Sequence, residues 1–305
     1  MIKVLGIPTI LGCNKKGCEL APKYIRDADL ISALKSSGES VEDLGDISIN
    51  NTFQTDKEIN SGVINFTEIK NVVDKTFFTL TSEVKNADKF LCIGGDHSMA
   101  MGSVFAAREK HEDLAVIWID AHADSNSPIS SPTGNAHGMP LSTVVGDSLF
   151  IFFDYKAVKK SNVVLFGIKD VDQAEWDYIH ENKITYYTID DIVEKGVGKI
   201  WQEIEKKIGH LPIHVSMDID GLDNSIAPGT GIINNGGINY REIKYLARKI
   251  SQKNLVSMDL TEVNPLNDID NKTQFLSVEL ISDFFRGKWT EYERYLEQSK
   301  VESGG

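Results

Sequence analysis

Cysteine is scarce in this chain: Cys13, Cys18 and Cys92 are the only three among 305 residues, an odd set without the spacing of a zinc site. A disulfide framework is therefore excluded, and reduced thiols in a cytoplasmic setting are the economical reading. Long apolar runs are missing as well. The opening MIKVLGIPTI is strand-like and too short for a secretory signal, and no stretch approaches the roughly 20 apolar residues of a membrane helix. Neither export nor membrane spanning is expected. Positive charge is in deficit: 32 basic against 45 acidic residues leave a net charge of −13, which repels phosphate backbones and anionic headgroups and argues against nucleic acid or membrane partners.

With 41% apolar and 25% charged residues, and only 24 Gly and 8 Pro, the composition is that of a folded globular protein and excludes disordered and collagen-like classes. A chain of this length buries roughly 75% of its unfolded surface. It needs no structural metal to fold, so any bound metal would serve chemistry. No linker composition interrupts the chain, and residues 1–305 are read as one domain. The terminal Ser303, Gly304 and Gly305 are given no role.

Short apolar runs recur at Lys3 to Ile7, Phe90 to Ile93, Ala115 to Ile119, Val163 to Phe166, Ile213 to Met217 and Leu255 to Leu260. Between them lie segments of helical period: Pro22 to Lys35, Glu68 to Asn86, Met99 to Lys110, Gln173 to Glu181, Gly198 to Ile208, Tyr240 to Ser251 and Phe275 to Phe285. This alternation predicts an α/β fold, an open and mostly parallel sheet with helices on both faces. Gly38 to Ser61 and Leu149 to Lys160 fit the pattern poorly and are expected to be surface excursions.

In an open parallel sheet the ligand crevice lies at the carboxyl ends of the strands. There the chain places GGDHS (94–98), DAHAD (120–124), DIDGLD (218–223) and TEVNP (261–265). Asp120, His122 and Asp124 at i, i+2 and i+4, and Asp218 and Asp220 at i and i+2, point from one face of extended backbone. Two like charges 4 Å apart repel by about 4 kcal/mol at an effective dielectric of ~20, so such carboxylates need cations or protons between them. Four of them carry four negative charges, which two divalent ions cancel, with neutral His97 and His122 completing the coordination. Carboxylate and imidazole without thiolate suit Mn(II), with Fe, Co or Ni as competitors, and a metal pair of this kind performs hydrolysis. Asp96 and Asp223 are open between supporting the neighbouring ligands and ordinary turn chemistry. His111, His180, His210 and His214 are assigned no function.

GGDHS, DAHAD and SMDIDGLD (216–223), in this order and spacing, resemble the ureohydrolases, the manganese arginases and their agmatinase relatives, over nearly the whole chain. The resemblance implies two Mn2+ per subunit: His97, Asp120, Asp124 and Asp218 around one, His122, Asp120, Asp218 and Asp220 around the other, with Asp120 and Asp218 bridging. The segment from Asp124 to Pro140 is similar to the arginase version. This implies that Asn126, Ser131, Thr133 and Asn135 face an α-carboxylate and that His137 transfers protons. DVDQAE (170–175) resembles the segment that binds an α-amino group and nominates Asp172 and Glu175. Glu262 matches the glutamate that pairs with a guanidinium, and Thr230 a position at the substrate end of the pocket. The implied activity is hydrolysis of L-arginine to L-ornithine and urea by a metal-bridging hydroxide, with Asp124 passing a proton to the departing nitrogen. A cytoplasmic homo-oligomer, trimer or hexamer, is implied in the same way. Lys15, Lys16, Lys169, Ile232 and Ile233 depart from common family residues. The rivals are an agmatinase or other guanidino hydrolase, a dinuclear metal phosphatase, and an inactive assembly subunit.

Overall fold

The computed structural model describes residues 1–286 apart from 14, 53, 86 and 87; Asn86 and the terminal Ser303, Gly304 and Gly305 therefore lie outside the described residues. Eight strands form one sheet: β1 (Ile2–Ile7), β2 (Val41–Asp46), β3 (Lys89–Gly94), β4 (Ala115–Ile119), β5 (Val163–Ile168), β6 (Thr185–Thr188), β7 (Ile213–Asp218) and β8 (Leu255–Thr261). Their order is β2-β1-β3-β8-β7-β4-β5-β6, and every pairing is parallel. The late strands β8 and β7 are thus inserted between β3 and β4. These four central strands end in the four motifs picked out above.

All six expected strands form. Two more, β2 and β6, occupy the sheet edges, and β2 lies within the Gly38 to Ser61 segment expected to be an excursion. An edge strand is buried on fewer sides, so it does not need a continuous apolar run. β2 accordingly reads VEDLGD with no fully buried residue, and it is fastened by Arg26, whose guanidinium pairs with Asp43 (2.8 Å) and with Asp46. In the other expected excursion, Ser148–Phe152 forms a short 3-10 helix.

Among the described residues ten α-helices cover the sheet: α1 (Ala21–Asp27), α2 (Leu30–Ser36), α3 (Phe66–Glu83), α4 (Ala100–Lys110), α5 (Pro140–Val144), α6 (Gln173–Glu181), α7 (Ile189–Lys195), α8 (Val197–Ile208), α9 (Tyr240–Ser251) and α10 (Lys272–Phe285). The single helix expected from Pro22 to Lys35 is divided into α1 and α2 by Asp29, whose φ of 64° is incompatible with a continuous right-handed helix. Side chains alternate along the central strands to feed two cores. Ile117 and Ile119 of β4 and Val215 and Met217 of β7 pack with α1, α2 and α7 to α10 on one face. Val116 and Trp118 pack with α3 to α6 on the other. Among the described residues no helix is long and apolar enough to cross a membrane.

Candidate metal centre and substrate pocket

The carboxyl ends of β3, β8, β7 and β4 converge. Asp120, buried completely, accepts the His122 backbone N–H at Oδ1 (2.7 Å) and the Trp118 indole N–H at Oδ2 (3.1 Å). Asp218 likewise accepts the Asp220 N–H (2.8 Å). These turns aim the acids inward. His97 stacks on Trp118, with ring centroids 4.4 Å apart, and its Nε2 meets Ser216 Oγ at 3.0 Å. Its Nδ1 faces carboxylate oxygens of Asp124, Asp120 and Asp218 at 2.9, 3.1 and 3.4 Å. His122 Nδ1 lies 3.3 Å from Asp220 and 3.4 Å from Asp120.

Two donor sets suited to a metal ion result, His97 with Asp120 and Asp124, and Asp120 with His122 and Asp220, sharing Asp120. Buried atoms in these sets lack hydrogen-bond partners: His97 Nδ1, Asp124 Oδ2 and Asp220 Oδ1. Polar atoms in this position are normally satisfied, and an imidazole nitrogen amid carboxylate oxygens is the donor chemistry of a hard or borderline divalent cation. The residues fit such ions. The electrostatics agree in sign: burial, then the neighbouring acids Asp220 and Asp120, push the Asp218 carboxyl well above its ordinary range. Burial and Asp120 similarly raise Asp220 to about 6. His97 and His122 are held protonated by these carboxylates against the opposing effect of burial. A divalent cation would replace those protons.

The backbone is bent to make this possible. Asp124 and Glu262 have φ of 49° and 61°, a left-handed geometry costing about 1–3 kcal/mol per residue and concentrated at functional sites. The Glu262 N–H donates to the Gly95 carbonyl (2.8 Å) and the Asp124 carbonyl accepts from Leu141 N–H (3.0 Å), which hold both in place. Gly221 is required by crowding, since a Cβ there would lie 2.9 Å from the Asp120 Cα.

A pocket opens beside the cluster. Of the residues nominated from the sequence, His122, Asp124, Asn126, Ser131, Thr133, Asn135, His137, Asp172, Glu175, Asp218, Asp220 and Glu262 line it. His97 and Asp120 lie in its buried floor. Thr230 is buried and is not among the lining residues; its carbonyl accepts from Asn267 Nδ2 (2.8 Å). Glu262 Oε1 accepts the His97 N–H (3.0 Å) and lies 3.1 Å from His137 Nδ1, while Oε2 accepts the Cys18 thiol (3.4 Å). Burial opposes the charged form of His137, but Glu262, with Asp124 and Asp96 behind it, raises its pKa. Asp172 and Glu175 form the capping box that starts α6: each accepts the other's backbone N–H. Their remaining oxygens accept Asn126 Nδ2 (2.9 Å) and Ser125 N–H (3.0 Å), so the acids are knitted to the loop after Asp124. Burial lifts Glu175 to about 7.

Asp170 also lines the pocket, and sequence reasoning missed it along with Trp118 and Cys18. Asp170 is the first acid of a motif that was read only from its third residue on. Trp118 reads as an ordinary core aromatic. Cys18 is joined to Glu262 only by the fold. The Asp223 side chain accepts from Ser225 within its own turn (2.9 Å) and from the Gly236 N–H across 13 positions (2.6 Å). Asp96 caps Ser98 and anchors Gly12 of the N-terminal loop. One departing residue reaches the neighbour of another: Lys15 Nζ donates to the carbonyl of Gly231 (3.2 Å), which precedes Ile232.

An open parallel sheet carrying clustered acids and imidazoles at its carboxyl edge defines a hydrolase of the metal-dependent α/β class. The arginase family model matches residues 1–286, and the chain belongs to the arginase family. It is 37% identical over 297 residues to the arginase of Staphylococcus aureus (strain MRSA252), covering 93% of this chain and 96% of that one. Its fold superposes on the native arginase structure from Bacillus caldovelox with a TM-score of 0.90 at 32% identity, covering 95% and 99% of the two chains. It is also similar to Entamoeba histolytica arginase in complex with L-ornithine (TM-score 0.86, 28% identity, coverage 93% and 98%).

Proposed function

We propose that this protein hydrolyses L-arginine to L-ornithine and urea at a pair of divalent cations, Mn(II) by preference. The observation that carries the reading is the His97 Nδ1, deprived of a hydrogen-bond partner and met by three carboxylates within 3.4 Å, at the floor of a pocket lined by acids at both ends. His97, Asp120, Asp124 and Asp218 would hold one ion and His122, Asp120, Asp218 and Asp220 the other. Such ions supply Lewis acidity and lower the pKa of water toward neutrality.

The chain's own groups supply recognition and proton handling. Among the described residues no Lys or Arg lines the pocket, whereas Asp170, Asp172, Glu175 and Glu262 do, which suits a substrate bearing a guanidinium and an ammonium. Asp172 and Glu175 would take the α-ammonium. Asn126, Ser131, Thr133 and Asn135 offer amide and hydroxyl donors to the α-carboxylate, and Glu262 would face the guanidinium, whose paired N–H groups match a carboxylate. Asp124 faces His97 with Oδ2, and its other carboxylate oxygen would hold a proton for the departing ornithine nitrogen. His137, partly exposed, would exchange protons with solvent. Thr230 would act from behind the lining. A phosphatase would want cationic side chains for phosphate, and agmatine lacks the carboxylate that the Ser131–Asn135 loop would bind.

We take the active protein to be a cytoplasmic homo-oligomer, a trimer or hexamer, which light scattering of the Mn(II)-loaded protein tests. Function is tested by urea release from arginine and agmatine side by side after Mn(II) loading. Preference for arginine is expected because the smaller substrate would leave the buried Asn126 and Ser131 unpaired, a loss for which such sites discriminate by up to about 10⁴. Preference for agmatine, or no urea from either, would overturn the reading.

A further inference from the structure

Beneath the His97 ring runs a line of polar groups that no step above uses. His214 and Ser216 belong to β7, Ser257 and Asp259 to the adjacent β8, where they face one another in register, and Ser103 comes from α4. All five have 0% exposure. An acid at the centre of a sheet is costly unless donors surround it. Asp259 has them on one oxygen: its Oδ2 accepts from Ser103 Oγ (2.7 Å), His214 Nε2 (2.9 Å) and, at longer range, Ser216 Oγ (3.4 Å).

The directions along this line are set by taking Asp259 Oδ2, met by two serine hydroxyls, as the acceptor throughout. An ionised carboxylate only accepts. His214 therefore carries its proton on Nε2, and its Nδ1 accepts from Ser257 Oγ at 2.8 Å. Ser216 has one hydroxyl hydrogen. Once that hydrogen is directed at Asp259, only lone pairs are left to meet His97 Nε2 at 3.0 Å, so His97 donates from Nε2. Nδ1, which faces the oxygens of Asp120, Asp124 and Asp218, is then the nitrogen that would offer its lone pair once a cation displaces the proton held there. Partners on the far ring nitrogen of a ligating histidine are known to fix its tautomer and raise its basicity.

We propose that Asp259, acting through Ser216 and held in place by Ser103 and His214, is a positioning residue that sets the His97 tautomer competent to bind a divalent cation. The inference rests on the proposed ligand role of His97. It gives function to His214, a histidine that its sequence context left without one.

The test is Mn(II) titration of the metal-free protein, following free Mn(II) by electron paramagnetic resonance, with thermal unfolding recorded for each variant. Wild type is expected to bind two ions. Asp259→Asn puts an amide donor beside Ser216, reverses the line and presents an N–H at Nδ1, so one of the two binding steps should weaken by about 10–100-fold. The weakened step should be the one that His97→Asn also weakens. Ser216→Ala, which only deletes the acceptor, should weaken the same step less, and Ser216→Thr, which keeps a hydroxyl, should restore it. If Asp259→Asn does not fold, the Ser216 pair decides alone. Wild-type affinity at both steps in the variants, or equal weakening of both, overturns the inference while leaving the two-ion reading standing. Failure of the wild type to bind Mn(II) at all overturns the reading it rests on.

Discussion

Glu175→Gln separates the stabilising and the functional demands on one side chain. Glu175 is buried, and burial, reinforced by Asp124 and Asp172, lifts its pKa from the ordinary 4.5 to about 7 even though the Ser125 and Asp172 N–H groups pull the other way. A displacement of that size corresponds to roughly 3 kcal/mol of preference for the protonated form. The sign follows by linkage. A group whose folded pKa is raised contributes stability that is complete below 4.5 and is lost as pH climbs through about 7. Glutamine does not titrate and resembles the protonated acid. Its amide nitrogen cannot accept the second of the two N–H bonds that the carboxyl group takes, a cost of about 1–3 kcal/mol at every pH, so the stability of the variant relative to wild type should start lower near pH 5 and rise by up to ~3 kcal/mol toward pH 8.5. Urea unfolding across this range, with a chelator present so that metal release does not intrude, measures the difference; other titrating groups are common to both proteins and largely cancel. Parallel stability curves would refute the reasoning. In the metal-loaded enzyme the same change should raise the KM for arginine, because the anion proposed to serve the α-ammonium is gone, an exchange of binding for stability expected at a functional site.

Asp120→Asn should abolish Mn(II) binding together with turnover, whereas His137→Asn should lower kcat with both ions retained; equal metal loss in the two, read by elemental analysis, would contradict the assigned roles. Trp118→Phe keeps the ring against His97 but removes the indole donor to Asp120 Oδ2, and should cost about 1–3 kcal/mol of stability and weaken Mn(II) binding in titration. Ile204→Ala, at a fully buried position of α8 remote from the pocket, should cost 2–5 kcal/mol in denaturant unfolding while leaving kcat per folded molecule unchanged.

The interior of this fold was legible because burial on both faces forces a strand to be apolar throughout. Ala115 to Ile119 is predicted and observed with the same ends, and Ile213 to Met217 falls one residue short of the full strand. The edges obey no such rule. β6 reads TYYT with one buried residue, and β2 has none, so neither left an apolar run to find. The break at Asp29 and the turns at Asp124 and Glu262 depend on left-handed backbone angles, and those at Asp124 and Glu262 are held by bonds to Leu141 and Gly95, distant in sequence. The acids and histidines of the floor were readable because each cluster is local in sequence. What supports them was not: the thiol that meets Glu262 is 244 positions away, and Asp172 with Glu175 carries a helix-start signature that was read only as substrate recognition.

The strand order has a consequence for how the molecule is made. β3 and β4 cannot become the neighbours of β7 and β8 until those later segments exist, and the His97 amide reaches its partner on Glu262 across 165 positions. A nascent chain arrested before β8 would hold a gap between β3 and β7, with His97 at the end of β3 cut off from the acids that β4 and β7 already bring together. Closure of such long-range pairings is slow and leaves sticky strand edges open in the meantime. Catalytic competence therefore arrives all at once and late in synthesis, when β8 slides between β3 and β7 and joins the two halves of the sheet.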